Sequence, residues 1–495
     1  MEPHPASAGL AAASVADLAR ELSAGSITAV EVVERLLERV AAIDGAGPIE
    51  LRSVLALAPD ARAVAAERDT ERHAGRVRGP LHGVPILVKD NIETVGLPGS
   101  AGSLALSDRP VERDAPVVSA LRDAGAIILG ATNLSEWANI RSGRSTSGWS
   151  AVGGLTANPW ALAHSAGGSS AGSGAAVAAG LAPLALGTET DGSITCPASL
   201  NGCAGLKPTV GLLSGDGIIP VTRDQDAPGP LARSVADLAL ALDALTRSDR
   251  HAIACGTIEL NGLVVGVARG WETGHVETDA CFETVLRGLK DAGVSVIDVA
   301  VADPSEVLDD EFAAILHGLA EDLTDHLARR PGPGVHSLAD VVAFNRDHAA
   351  VELAPFGQEF FEQALELGGR AAPGYLERRS SALRWANTSL GSALPPASPN
   401  RVLLAPTYAP AWTSDLATGD PQEQLGGRST HAAAIAGWPI LTIPMGAVDG
   451  LPVGLGIIAR PDTERDLVAV GHAIEAAIGL VGTPAIAPRW RPRPG

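Results

Sequence analysis

Short apolar runs, too brief to be buried helices, recur along the whole chain with amphipathic helical stretches between them, and this alternation limits the available folds more than any other feature. The run VPILV (84–88) is followed by the helical APVVSALRDAG (115–125) and a second run, AIILGATN (126–133). The rhythm returns at LVVGVA (263–268), VSVIDVAV (294–301), VLLAPT (402–407) and ILTIPM (440–445). Runs of this length, bounded by turn residues and alternating with helices, predict an α/β fold with a large, mostly buried sheet flanked by helices. Two amphipathic helices are predicted at the start, near Val15 to Leu22 and near Ala29 to Ile43. The second opens with a capping box from Thr28 to Glu31 and carries Val30, Val33, Leu37 and Val40 at helical spacing.

At 495 residues, 46% hydrophobic and 19% charged, the chain can bury a large core without disulfides or metals. Length alone allows roughly three domains, but no linker or internal repeat divides it, so 1–495 reads as one domain. Within it, 143–230 is crowded with Gly, Ser, Thr and Pro yet keeps helix- and strand-like runs, which marks ordered backbone at close quarters. The stretch 305–390 is mostly helical in pattern and is expected to form an insertion beside the sheet.

A net charge of −20 repels phosphate backbones and anionic lipid, and with 3% aromatics base-stacking platforms are not expected, so nucleic acid and acidic membranes are poor partners. Cys196, Cys203, Cys255 and Cys281 form no CxxC and have no zinc-like histidine pair nearby, and they read as buried, reduced thiols. The opening residues lack the basic and continuous apolar regions of a secretory signal, and no run approaches a membrane span. The expectation is a cytoplasmic protein, or a secreted one with its signal already removed.

The chemistry concentrates in SAGGSSAGSGAAVAAG (165–180) and LALGTETDGSITCPAS (184–199). The first fails as a phosphate loop, having neither GK[ST] nor GxGxxG. It passes as an esterase elbow, since Gly168-Ser-Ser170-Ala-Gly172 fits GxSxG with Ser170 as nucleophile; the histidine would come from His317, His326, His336, His348, His431 or His472, none of which stands out. The bland alternative is a turn that lets a helix approach the sheet. Ser193 sits in a second tight turn between an apolar strand and a short helix, where successive N–H groups can point into one cavity.

Two serine-bearing turns need a base. Only three of the 37 lysine and arginine residues are lysines, Lys89, Lys207 and Lys290. A desolvated lysine can lose its proton whereas arginine cannot, so a lysine kept at the end of a buried strand is a candidate base. That describes Lys89. Lys207, in GLKPTVG, is a rival whose neighbours suggest a structural turn, and Lys290 beside Asp291 reads as solvated.

These residues together resemble the amidase signature family over most of the chain. The resemblance rests on GGSS, the serine of a GS turn 24 positions later, and the following PA and GLKPT. It extends to GVPILVKD (83–90), TNLSEW (132–137) and IPMGAVDGLPVGL (443–455). Within the family the chain most resembles the bacterial peptide amidases, through GTETDGSI (187–194), SGWSA (147–151) and DGIIP (216–220). The resemblance implies the amidase signature fold, whose sheet is mixed, with Lys89 as base, Ser169 as the relay serine after a cis peptide bond, and Ser193 as nucleophile. It also implies an oxyanion hole from the N–H groups of Thr190, Asp191, Gly192 and Ser193, with no cofactor and no metal.

Asp191 and Thr195 stand where the wider family usually has Gly and Arg. Both departures fit the peptide amidase branch and argue against the glutamine-using component of a tRNA amidotransferase. Asp191 reads either as orienting a leaving –NH2 or as a turn residue tolerating unusual φ/ψ. The expected activity is hydrolysis of neutral carboxamides, C-terminal peptide amides or related small amides. The alternatives are an aryl-amide or carbamate hydrolase with the same triad, one component of a partner-dependent amidotransferase, or an inactive Gly-rich binding protein. Pocket residues and oligomeric state are not legible.

Overall fold

The computed structural model describes residues 13–45, 49–108, 111–332, 334–396, 401–421 and 427–479; part of the opening segment inspected for a secretory signal lies outside them. Eleven strands form one sheet in the order β1-β3-β2-β6-β8-β7-β12-β13-β11-β9-β10. They are β1 (Val54–Leu57), β2 (Pro85–Lys89), β3 (Ile127–Thr132), β6 (Leu184–Glu189), β7 (Ala204–Lys207), β8 (Ala227–Ala232), β9 (Val264–Ala268), β10 (Ser295–Val299), β11 (Leu403–Pro406), β12 (Ile440–Val448) and β13 (Leu451–Ile458). A small separate pair joins β4 (Trp149–Ser150) to β5 (Gly154–Leu155).

The sheet is mixed, as expected. Strand β2 runs parallel to both β3 and β6, while β6, β8, β7, β12, β13 and β11 pair antiparallel in succession. Every residue of β2, β3, β6, β7, β8 and β11 is buried, because helices cover both faces; this is why these strands read as continuous apolar runs and not as alternating ones. The edge strand β10 is largely exposed. The β12–β13 hairpin turns on Asp449 and Gly450, both at positive φ (51° and 81°), as a two-residue loop following the sheet twist requires.

The predicted helices form at Val15–Ala24 and Ala29–Ile43, and Thr28 and Glu31 close the capping box reciprocally at 3.1 and 2.8 Å. The buried stripe of the second runs through Val32, Val33, Leu36, Leu37 and Val40, and Val30 sits half-buried at its margin. All four cysteines are free, but only Cys196 and Cys203 are buried; Cys255 and Cys281 are half-buried because each lies on the rim of the core, packed against it from outside.

The helix Ala171–Ala178 is buried along its whole length beneath the sheet. A Cβ at Gly172 would lie 2.3 Å from Ser53 O and 2.5 Å from Asn133 O, so only glycine lets this helix approach so closely. Between β10 and β11 the chain is helical, through Leu308–Arg329, Leu338–Asp347, Glu359–Leu367 and Tyr375–Ala393. Leu316, Leu319, Leu323 and Phe361 of these helices share a core with Trp137 and Ile219, which lie outside the sheet strands, and this core fixes the helical layer against the segments that carry them.

Gly172→Ala should lower the unfolding free energy by about 1–3 kcal/mol through overpacking. Gly288→Ala, in an exposed helix position with open space at its Cβ, should instead raise it by about 0.5–1 kcal/mol. Urea unfolding of the two variants checks both signs.

Candidate active site

Strands β2 and β6 are parallel neighbours, so their carboxyl ends open at the same edge, where open α/β sheets hold ligands. Lys89 is the last residue of β2, paired with Thr132, and its side chain is fully buried. Its Nζ lies 2.7 Å from Ser169 Oγ, 2.8 Å from Thr188 Oγ1 and 3.3 Å from Thr188 O. Asn91 Nδ2 donates to Thr188 Oγ1 at 3.0 Å and holds that hydroxyl in place. Burial pushes the Lys89 ammonium down to about 7, only partly offset by the attraction of Asp226 and Glu189.

Ser169 follows a cis peptide bond from Gly168. Its carbonyl accepts from Ser135 N at 3.0 Å, and the next residue, Ser170, donates its N–H to Ser193 O at 3.1 Å, so the two glycine turns lie side by side. Ser170 Oγ donates to Thr188 O at 3.1 Å and accepts from Thr188 N at 3.3 Å, fully buried. Its hydroxyl is thus spent on backbone, and the elbow reading loses its nucleophile. Of the six histidines weighed as its partner, His431 comes to the Ser193 turn, where it meets Asp191 and not a serine.

The turn from Thr190 to Ser193 leaves β6 and enters the helix Thr195–Asn201 through Gly192 at φ 78°. A Cβ on Gly192 would lie 2.4 Å from the Tyr408 hydroxyl. Among the described residues, no backbone or side-chain acceptor takes the N–H groups of Asp191, Gly192 and Ser193. Beneath the turn, Glu189 Oε2 accepts from Ile194 N (2.7 Å), Thr195 N (2.8 Å) and Thr195 Oγ1 (3.1 Å). Burial raises the Glu189 carboxyl and the charge of Lys207 opposes this. Lys207 is not in a turn: it ends β7 fully buried, its Nζ donating to Pro208 O at 3.0 Å, and burial pushes it down to about 8 against the attraction of Glu189, Glu464 and Asp191. Lys290 is exposed, as expected.

Residues that sequence reading does not single out complete the surroundings. Thr190 Oγ1 donates to Asp226 Oδ1 at 2.6 Å, and burial raises Asp226 to about 7. His431 Nδ1 hydrogen-bonds Asp191 Oδ2 and stands 3.6 Å from Glu311 Oε2. The donor atoms of this trio lie within 4.8 Å of one another. The same nitrogen faces both carboxylates, and their charges hold the imidazole well above its ordinary value against the opposing effect of burial. A cleft of about 740 Å³ adjoins Thr188, Thr190 and Asp226, walled by Leu213, Ile218, Ile219 and Val221 and rimmed by Arg113, Arg223 and Arg329. Asn91 and Thr188 lie in or beside the sequence motifs, but Asp226, Glu311 and His431 reach the turn from elements distant in sequence.

The sequence model of the Amidase family matches residues 31–468. The chain belongs to the amidase signature family and is an amide-hydrolysing enzyme. It is similar to the peptide amidase of Stenotrophomonas maltophilia, at 42% identity over 96% of this chain and 98% of that one, with a TM-score of 0.90. It is also 33% identical to a "Probable amidase" of Arabidopsis thaliana, over 94% of this chain and 90% of the relative. A similar likeness, 33% over 92% of this chain and 94% of the relative, relates it to a glutamyl-tRNA(Gln) amidotransferase component of Chloroflexus aurantiacus. No helix among the described residues is long and apolar enough to cross a membrane.

Because Lys89 holds its proton less firmly folded than unfolded, its burial is a stability cost that is full below about pH 7 and vanishes above the ordinary lysine value of 10.5. The unfolding free energy of the native chain minus that of Lys89→Met should therefore rise with pH across this window, by up to about 1.4 kcal/mol per pH unit. A flat difference in denaturant titrations from pH 7 to 10 would show that the amine is not desolvated.

Proposed function

We propose that this enzyme is a serine amidohydrolase in which neutral Lys89, acting through Ser169, activates Ser193 as nucleophile. The observation that carries the reading is the Lys89 amine, fully buried, 2.7 Å from Ser169 Oγ and pushed down to about 7. A lysine so placed is a base at neutral pH, and a serine hydroxyl beside it is the first acceptor and donor of a relay.

In the acylation step Ser193 Oγ bonds to the substrate carbonyl carbon while its proton passes to Ser169 and the Ser169 proton to Lys89. The charge gathering on the carbonyl oxygen is met by the N–H groups of Thr190, Asp191, Gly192 and Ser193, the last three of which have no acceptor among the described residues. As the C–N bond breaks, the relay runs backward and protonates the departing amine. Water then attacks the ester at Ser193 by the same path, releasing the acid. Thr188 and Asn91 keep the amine of Lys89 aimed at Ser169.

The substrates we propose are neutral carboxamides, C-terminal peptide amides foremost. Supporting this are the 42% identity to a peptide amidase and a cleft of about 740 Å³ whose apolar wall suits the acyl part of a short peptide. The likeness to the amidotransferase component favours a second reading, glutamine hydrolysis for a partner. Asp191 and Thr195 weigh against it, and ammonia release by the chain alone decides.

Ser193→Ala should lose at least about a thousandfold in kcat while Ser170→Ala keeps a substantial part, since the nucleophile acts as one unit with its base. Lys89→Arg should be as damaging as Lys89→Ala, and native kcat/KM should fall below about pH 7 as Lys89 gains its proton. A fluorophosphonate adduct mapped to Ser170 would overturn the mechanism. Compared at equal concentration, an amidated dipeptide should exceed an anilide and an aryl carbamate in kcat/KM. A lead of more than about tenfold for either rival, about 1.4 kcal/mol of transition-state binding, would replace the peptide amide assignment and leave the triad standing.

A further inference from the structure

We propose that His431 is a positioning residue of the oxyanion turn, its imidazolium compensating and anchoring the Asp191 carboxylate that this chain carries beside the free N–H groups. The proposal rests on the reading of Ser193 as nucleophile and of residues 190–193 as its oxyanion hole.

Asp191 offers two opposed things to an oxyanion. Its backbone N–H is one of the unengaged donors, yet its side chain is a carboxylate on the same turn, and like charges oppose each other strongly where water is excluded. Only one oxygen of that carboxylate is tied down. Oδ2 is bonded to His431 Nδ1, while Oδ1 is buried with no hydrogen-bond partner among the described residues, so the direction of the side chain depends on the histidine.

The histidine is itself held. It projects from the helix Arg428–Ala436, and Glu311 Oε2 of the Leu308–Arg329 helix lies 3.6 Å from the same Nδ1. Gln225 Nε2 donates to the other oxygen of Glu311 at 2.9 Å and to Thr190 O at 3.4 Å, and Gln225 Oε1 accepts from Arg379 at 3.3 Å. One continuous set of contacts therefore grips the turn at Thr190 and again at Asp191. The other titratable and charged groups around the ring and turn include the Tyr408 hydroxyl against Gly192, Glu189 beneath Ile194, Asp226 on Thr190, Lys207, whose ammonium is attracted by both Glu189 and Asp191, and Arg428, which lies 3.5 Å from Asp303.

Burial weakens the hold of the imidazole on its proton, but Asp191 and Glu311 more than reverse this and keep it well above the ordinary histidine value. When the proton does leave, the neutral ring still donates from Nδ1 to Asp191, but its positive charge is gone and the two carboxylates beside the turn are no longer offset. The pH profile then has two limbs: an acid one set by Lys89 and an alkaline one set by His431.

The test is kcat and KM against pH on an amidated dipeptide, for the native chain, Glu311→Gln, His431→Gln, and His431→Gln combined with Asp191→Asn. Glu311→Gln removes one of the charges holding the proton, so the alkaline limb should move down by about one pH unit while the acid limb stays. His431→Gln should lower kcat at least about tenfold with little change in KM, as expected when an interaction made only in the transition state is lost. Adding Asp191→Asn removes the uncompensated charge and should recover at least about threefold, a coupling that independent sites do not show. An alkaline limb unmoved in Glu311→Gln, or a double variant no faster than His431→Gln, is the result of a packing role and overturns the proposal. Full activity in Ser193→Ala would instead overturn the mechanism beneath it, whatever the His431 variants do.

Discussion

The burial of one amine organises this molecule. Placing Lys89 Nζ out of water at the end of β2 costs about 5 kcal/mol between its two protonation states, taken from its fall to about 7. The fold sustains that cost because the amine has three polar neighbours, Ser169 Oγ, Thr188 Oγ1 and Thr188 O, so even its neutral form is fully hydrogen-bonded. Each neighbour requires an element of the architecture. Thr188 requires β6 in parallel register beside β2, and Ser169 requires the glycine turn that leads into the buried helix Ala171–Ala178.

The charges around the amine follow from it. Glu189 draws together the first N–H groups of the helix after Ser193, and Lys207 offsets its charge from the end of β7. Asp226 ties Thr190 from one side while His431 and Glu311 tie Asp191 from the other. Buried charges that are paired and hydrogen-bonded fix geometry more than they add stability, and here they surround a turn in which the N–H groups of Asp191, Gly192 and Ser193 have no acceptor among the described residues. The helical layer between β10 and β11 supplies Glu311 and Arg379, so it belongs to the site as well as to the core.

Legibility in the sequence follows distance along the chain. Strands β2, β3, β6, β9, β10, β11 and β12, the first two helices and the three residues given the catalytic roles sit in local patterns: apolar runs of strand length, a capping box, a lysine at a strand end, two glycine turns; β1, β7, β8 and β13 do not stand out in this way. Asn91 and Thr188 lie in or beside those patterns but have no visible partner until β2 and β6 are side by side. The neighbours of Lys207 suggest a turn, whereas its role depends on Glu189, brought close only by β8 lying between β6 and β7. His431 is one of six histidines that sequence alone does not distinguish. Its 240-residue separation from Asp191 is closed by the sheet, not by any local pattern. The half-exposure of Cys255 and Cys281 is likewise decided by which elements end at the rim of the core.

The mechanism stands on the protonation state of Lys89, and this chain allows it to be read directly, because only Lys89, Lys207 and Lys290 would be labelled in protein grown on 13C-lysine. The measurement is the pH titration of the three 13Cε resonances in the folded protein, with Lys89→Met assigning the signal. The Lys89 resonance should titrate near 7, well below the ordinary 10.5. A Lys89 signal that remains that of an ammonium up to about pH 10 would contradict the mechanism, since a lysine charged at neutral pH cannot accept the proton that Ser193 must lose.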